Sequence, residues 1–386
     1  VEGRPLAAAG TGVIRSLFRQ LGMSVTISSA STVDAWDTLR DAGARARSLL
    51  VAAAARRWSV EAGSLETERG VVRDPASGRS LGYGELAEAA ARERVGGPVV
   101  LKTPDRFRLI GHSVPRIEVP AMVRGLAAYG IDTVMPDLLH GAVRHPPRSG
   151  SRLESFDAAG VGDLPGVEAV LPLGDRAVAV LARNTWTAWQ AADRLVLRSA
   201  AGTGSLATTD ALYADYRRDL DSAEPAVFRD DAEDDAERGD VAAAPSGGRA
   251  LEAVYELPFL AHLCMEPMNC TARFDGGRLT VWAPTQAPSI ARDEAAKAAG
   301  LSPEVVDIRQ TRLGGGFGRR AEMDFVAEAA LAAMAVPGRP VKLTWSRPED
   351  VRHDMFRPGA LGRCRGALGP HGRIAGLDYT LFSGAV

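Results

Sequence analysis

The stretch Leu313-Gly314-Gly315-Gly316-Phe317-Gly318-Arg319-Arg320 holds the residues best suited to chemistry, between a strand expected over 305–309 and a helix expected over 321–335. Glycines let the main chain take positive φ and let a ligand approach the backbone closely. A helix N-terminus directly after such a loop offers free N–H groups and positive potential, which suit a phosphate or oxyanion. Arg319 and Arg320 could add charge-assisted hydrogen bonds to the same group. No Lys-Ser/Thr pair follows, so the loop is not a P-loop, and Arg319 stands where the dinucleotide fingerprint needs its third glycine. Taken alone, it reads equally well as a tight turn without a ligand.

Two further stretches carry weaker signals. In Trp282-Ala283-Pro284-Thr285-Gln286 a strand ends in a proline-broken loop, and Gln286 could present its amide to a ligand oxygen; alone, it reads as a surface glutamine. His262-Leu263-Cys264-Met265-Glu266-Pro267-Met268-Asn269-Cys270 mixes metal-ligand types, but its spacing imposes no convergence on one point. Small thiols and flexible methionines fit core packing as well, so no metal ligand set is expected. His112, His140, His145, His353 and His371 are scattered and form no HExxH pattern. Gly-x-Ser-x-Gly is absent, which leaves serine-hydrolase chemistry unsupported.

The elements that must position these residues follow from periodicity. A helix is expected over 34–58, capped by Ser31 or Thr32, after a loop of small hydroxyl residues that starts at Ser28. A hairpin turning through 74–78 and a short helix over 83–92 come next. Strands over 138–143, 167–171 and 177–181 and a helix over 185–195 suggest a small α+β unit. Beyond an acidic linker containing Asp230-Asp231-Ala232-Glu233-Asp234-Asp235, strands and helices alternate to the end. The formal net charge of −2 gives no general attraction to nucleic acid or an anionic membrane. Three cysteines, at positions unlike any zinc or iron–sulfur set, place no cluster on this chain.

Taken together and in order, Met265-Glu266-Pro267-Met268-Asn269-Cys270, Trp282-Ala283-Pro284-Thr285-Gln286 and Gly314-Gly315-Gly316-Phe317-Gly318-Arg319-Arg320 resemble the molybdopterin-binding subunit of the xanthine dehydrogenase/aldehyde oxidase family. Arg347-Pro348-Glu349-Asp350-Val351-Arg352-His353-Asp354 is similar to that family too, and the detailed forms resemble its isoquinoline 1-oxidoreductase beta-subunit branch. Residues from about 115 to 198, with Val119-Pro120-Ala121 and Tyr129-Gly130-Ile131-Asp132, resemble its α/β hammerhead domain. The resemblance implies an α+β fold: a partial molybdopterin-binding segment (1–95), a connection (96–116), the hammerhead (117–215), an acidic linker (216–248) and a truncated molybdopterin-binding domain (249–386).

It also implies a function. Family members oxidise an aldehyde carbon or a carbon beside a ring nitrogen, with water as the oxygen source. Their cofactor is molybdenum-molybdopterin, here expected in its cytosine dinucleotide form. By resemblance Gln286 would hydrogen-bond the molybdenum oxo group, and Gly315, Gly316, Phe317, Gly318 and Arg319 would line the cofactor. Ser29 and Ser31 would contact the pterin or its phosphates. Electrons would pass to a small partner subunit with two [2Fe–2S] clusters, and a membrane-associated acceptor is compatible with the branch. Cytoplasm and periplasm both stay open.

The family's catalytic glutamate and its N-terminal Gly-Gln motif are expected outside residues 1–386, so the piece alone is expected to be inactive. Arg319-Arg320-Ala321 fills the stretch where some members carry a substrate-facing glutamate, which argues against a purine pocket. The rival reading is a non-catalytic cofactor-binding or assembly module, a decayed relative of the family.

Overall fold

The computed structural model describes residues 24–27, 29–148, 150–200, 208–222, 249–369 and 371–384. The acidic run at 230–235 lies outside them, as does Ser28. The chain divides into two compact units, one of residues 26–127 and the other taking in the described residues from 128 onward with 24 and 25. Among the described residues, no helix is long and apolar enough to cross a membrane.

The unit of residues 26–127 is built on helix α1 (Ala30–Trp58). It begins four residues before the expected position, so Ala30, Ser31 and Thr32 are helical rather than loop. Ser29 is the N-cap residue, at φ 57°, with no side-chain capping bond. Strands β1 (Glu66–Glu68), β2 (Val71–Arg73) and β3 (Ser80–Gly82) form an antiparallel sheet, followed by helix α2 (Tyr83–Ala90). Ala53, Ala54, Val72 and Leu86 make its core. Alanines on α1 let the sheet approach closely.

The β2–β3 turn is organised by Asp74, which is buried (3% exposed). Its carboxylate accepts from Ser77 Oγ at 2.6 Å, Arg79 Nη2 at 2.8 Å and the Ala76 N–H at 3.1 Å. Ser77 and Arg79 hold its pKa at about 2, below the ordinary 3.8. A depressed carboxyl stabilises the fold fully above its unfolded pKa, and that contribution is lost as pH falls towards the folded value. Asp74→Asn should therefore lower the melting temperature at neutral pH, and the gap from wild type should close as pH falls from 3.8 to about 2. A gap that stays constant in circular-dichroism melts across that range would contradict this.

The other unit is centred on a seven-stranded mixed sheet. Its strands are β4 (Leu139–Arg144), β6 (Val167–Leu173), β7 (Ala177–Ala182), β10 (Asn269–Asp275), β11 (Arg278–Ala283), β12 (Val306–Gln310) and β13 (Val341–Thr344), with β5 (Arg152–Asp157) and β8 (Val196–Ala200) pairing separately. The order is β12-β11-β10-β13-β4-β7-β6. Its pairs are antiparallel except β11/β12 and β13/β4. Because β4 hydrogen-bonds β13, the sheet draws strands from both sides of the acidic segment, and the linear division expected at 216–248 is crossed by a continuous ladder.

Strand β7 explains how two cores share one sheet. Its run Ala177-Val178-Ala179-Val180-Leu181-Ala182 is buried throughout. Successive strand side chains face opposite ways. Ala177, Ala179 and Leu181 therefore enter one core while Val178, Val180 and Ala182 enter the other. The second core is closed by helix α3 (Thr185–Ala192) through Ala188, Ala191 and Ala192.

Helix α4 (Thr209–Ser222) runs past residue 216 into the stretch expected as linker, because Tyr213 and Leu220 are buried. Across the first core, helices α5 (Pro288–Ala299) and α6 (Asp324–Ala335) pack with alanines. Helix α7 (Arg347–Arg352) is capped by the Ser346 hydroxyl. A three-stranded antiparallel sheet of β9 (Arg249–Leu257), β14 (Ala360–Leu368) and β15 (Ile374–Ser383) completes the described chain.

Candidate cofactor site

The three weak motifs converge on one buried guanidinium. Arg320 is fully buried (0% exposed). Its Nε donates to the Gly315 carbonyl at 2.8 Å, Nη1 to the Pro284 carbonyl at 3.2 Å and Nη2 to the Glu266 carbonyl at 2.8 Å. Nη2 also lies 3.2 Å from Glu266 Oε2. One side chain thus ties together the glycine loop, the Trp282–Gln286 loop and the Met265–Cys270 segment.

Glu266 completes the clamp. Oε2 accepts from the Gly314 N–H at 2.7 Å, and Oε1 accepts from the Ile131 N–H and Asn269 Nδ2, both at 2.9 Å. The expected hammerhead stretch Tyr129–Asp132 is held from its other side by Lys342, whose Nζ donates to the Ile131 carbonyl at 2.7 Å. Close approach requires glycine at Gly314, where a Cβ would stand 2.4 Å from the Glu266 Cβ.

Above this clamp the loop leaves donors exposed. The main-chain N–H groups of Gly315, Gly316 and Phe317 find no acceptor among the described residues. Gly315 and Gly318 have φ 105° and 103°, and Phe317, a non-glycine residue, has φ 56°. Such a conformation costs a bulky residue about 1 kcal/mol. Phe317 is 76% exposed. Successive amides in a loop of alternating hand form a concave anion-binding nest.

Gln286 sits beside this nest. Its N–H donates to the Arg320 carbonyl at 2.9 Å, and its Oε1 accepts from the Gly318 N–H at 3.0 Å. That bond requires the amide oxygen to face the loop, which fixes the direction of the NH2 donor. A Cβ on Gly316 would stand 2.6 Å from Gln286 Oε1. Gly316→Ala should therefore force the loop itself to shift and lower retained cofactor about tenfold, read as bound pterin per folded chain. Undiminished pterin would show that the loop does not hold the cofactor.

Two expectations are corrected. The Arg319 side chain does not line the loop opening: it is 1% exposed, with Nη1 and Nη2 on the Asp324 carboxylate at 2.9 and 2.7 Å. Its Nε lies 3.0 Å from Asp354 Oδ1, without hydrogen-bond alignment. Arg319 and Arg320 are thus consumed by buried partners, because an unpaired buried guanidinium would be far costlier than an exposed one. Nor does the helix start directly after the loop. A 3-10 turn (Arg319–Ala321) intervenes and α6 begins at Asp324, whose carboxylate already occupies that end.

His262 belongs to the site by position although sequence reasoning left it unassigned. Its N–H donates to the Asp354 carboxylate, and its Nδ1 lies 3.1 Å from Asp354 Oδ1. Its Nε2 would be 3.7 Å from a Cβ on Gly318. Cys264 and Cys270 are buried, and burial pushes both thiols up, which keeps them protonated. Ser29 and Ser31 are exposed residues of the unit of residues 26–127, whereas Gln286 and the glycine loop belong to the other.

Residues 223–385 match the molybdopterin cofactor-binding domain family. The chain is 31% identical to isoquinoline 1-oxidoreductase subunit beta of Brevundimonas diminuta, across 93% of this chain and 51% of that protein. It is 29% identical to a membrane-bound aldehyde dehydrogenase of Gluconacetobacter polyoxogenes, named for pyrroloquinoline quinone, across 94% of this chain and 48% of that protein. The aldehyde oxidoreductase of Desulfovibrio gigas shares the fold, with a TM-score of 0.55 and 19% identity over 73% of this chain and 35% of that one. The architecture is thus mixed α+β, and residues 223–385 carry the match to a molybdopterin cofactor-binding domain. Over most of its length the chain is similar to molybdopterin-binding subunits of the xanthine oxidase family. It spans about half the length of these curated relatives.

Proposed function

We propose that this chain is the cofactor-holding part of a molybdenum hydroxylase that oxidises an aldehyde or an N-heterocycle. The observation that carries the reading is the row of unpartnered amides at Gly315, Gly316 and Phe317 beside the oriented Gln286 amide. Uncharged main-chain and amide donors suit an anionic, oxygen-rich group better than a cation. When bound, a molybdenum cofactor supplies a two-electron redox centre for hydroxylation with oxygen from water.

The chain's own residues position and do not react. Gln286 directs a donor at a cofactor oxygen, the loop amides add fixed dipoles, and Phe317 presents an apolar face that limits water. Arg320 and Glu266 hold the loop rigid from beneath, so little reorganisation is needed at the moment of reaction. The resemblance adds Ser29 and Ser31 as pterin or phosphate contacts, a cytosine dinucleotide on the pterin and a small [2Fe–2S] partner subunit.

The test uses the chain with its native flanking sequence, co-expressed with its neighbouring genes in a host that makes the cofactor. Isoquinoline and benzaldehyde are offered with a dye acceptor in heavy-oxygen water. We expect one of the two to be hydroxylated with the label in the product. Turnover without label would contradict water as the oxygen source, and no turnover of either class by cofactor-loaded protein would contradict the substrate assignment.

A further inference from the structure

A second cluster lies outside the cofactor reading, where β4 ends against α6 and α7. His145 Nδ1 is 2.9 Å from Glu349 Oε2, and His353 Nε2 is 3.6 Å from the same oxygen. One ligand atom from each of the three residues can be chosen so that all lie within 4.8 Å of one another. We propose that His145, Glu349 and His353 form a site for a divalent transition-metal cation of the zinc class.

Three observations carry this. First, the separations suit the ion. Ligand atoms about 2.0–2.1 Å from a tetrahedral zinc lie about 3.3 Å apart, a spacing that 2.9 and 3.6 Å bracket. Secondly, His353 Nε2 is buried with no hydrogen-bond partner, on a side chain 10% exposed and directed at Glu349. A purely ionic network of His145 between Glu328 and Glu349 accounts for His145 but gives that nitrogen no hydrogen bond. A cation between the three would satisfy it.

Thirdly, the surrounding groups already orient the ligands. His145 Nε2 lies 2.7 Å from Glu328 Oε1, the carboxylate–histidine arrangement that fixes a ligating imidazole. Glu328 is itself held by Trp345 Nε1 at 2.9 Å. Arg144 Nη1 donates to Glu349 Oε1 at 3.0 Å, and Arg352 approaches the same oxygen, so Oε2 is the oxygen directed at the histidines. The proton between His145 Nδ1 and Glu349 Oε2 would leave to solvent as the cation enters. A cavity of about 330 Å³ lined by His145, His353, Glu328, Arg148 and Arg176 gives an entry path and room for a water as fourth ligand.

The site would act as a brace. His145 follows β4, Glu349 lies in α7, and Asp354, next to His353, contacts both His262 and Arg319 behind the glycine loop. A bound ion would join the strand, the helix and the loop's support at one point.

The test uses the full chain stripped with chelator and titrated with zinc alone, then with cobalt(II) as a spectroscopic probe. Wild type should take up equimolar zinc, melt at a higher temperature with it, and show the intense visible absorption of low-coordinate cobalt. His353→Ala should weaken zinc binding at least about tenfold, while His371→Ala, an exposed control, should bind as wild type. Absence of the cobalt spectrum in wild type would overturn the proposal however the variants fold. So would equal zinc affinity in wild type and His353→Ala, or equal weakening by His371→Ala.

Discussion

Replacing Arg320 with methionine should destabilise the unit from residue 128 onward by about 3–5 kcal/mol, the cost of breaking a buried ion pair by removing one partner. The guanidinium is fully buried and donates to carbonyls of Gly315, Pro284, Glu266 and Pro267. Methionine fills much of the volume but leaves these oxygens and Glu266 without a donor, and each buried unmade bond carries its own desolvation penalty. Lysine should rescue only in part, because one ammonium cannot reproduce a planar fork. Denaturant midpoints of wild type, Arg320→Met, Glu266→Gln and the double variant would show it. Strong coupling between the two sites is expected, and simple additivity would mean that Arg320 merely fills space.

Gln286→Ala should have the opposite signature: little loss of stability and a large loss of turnover. The side chain is half-buried, and its Oε1 bond runs to an amide on an exposed loop. If its NH2 group donates to a cofactor oxygen that gains charge during oxidation, loss of turnover should be about 10²–10³-fold. Bound pterin should change far less. Measuring kcat and pterin content on the same preparation separates the two effects. Unchanged kcat at full pterin occupancy would remove Gln286 from the mechanism, leaving it a positioning role for Gly318.

Much of the fold could be read from the chain because local pattern and tertiary outcome agree. The apolar run read as a strand over 177–181 becomes a strand buried on both faces, and the helices expected over 290–299 and 321–335 become Pro288–Ala299 and Asp324–Ala335 on the sheet. Helix α1 starts four residues before the position the pattern predicts, because small hydroxyl residues read as loop while Ser31 and Thr32 sit within its first turn. The cofactor motifs were legible only as a set. No local rule reveals that Arg320 bonds the carbonyls of Pro284 and Glu266, so each motif alone looked ordinary.

Two consecutive arginines after a glycine loop invite an anion-binding reading, and only the tertiary fold shows their carboxylate partners at Asp324, Asp354 and Glu266. The cluster of His145, Glu349 and His353 was likewise beyond spacing rules, since His145 and Glu349 are 204 residues apart and meet through the β4–β13 pairing. His353 lies four residues after Glu349 on the α7 turn, a spacing that can bring two ligands to one side. That signal was present, but it lacked its third member.

The measurement that bears most directly on the central claim is the molybdenum and pterin content of the chain, purified with its native flanking sequence from a host that makes the cofactor. Elemental analysis and fluorescence of the oxidised pterin should both report equimolar amounts in wild type, with a marked fall in Gly316→Ala. Wild-type protein that is folded, cofactor-exposed and free of both would contradict the assignment of the Gly314–Gly318 loop and Gln286 as a molybdopterin site.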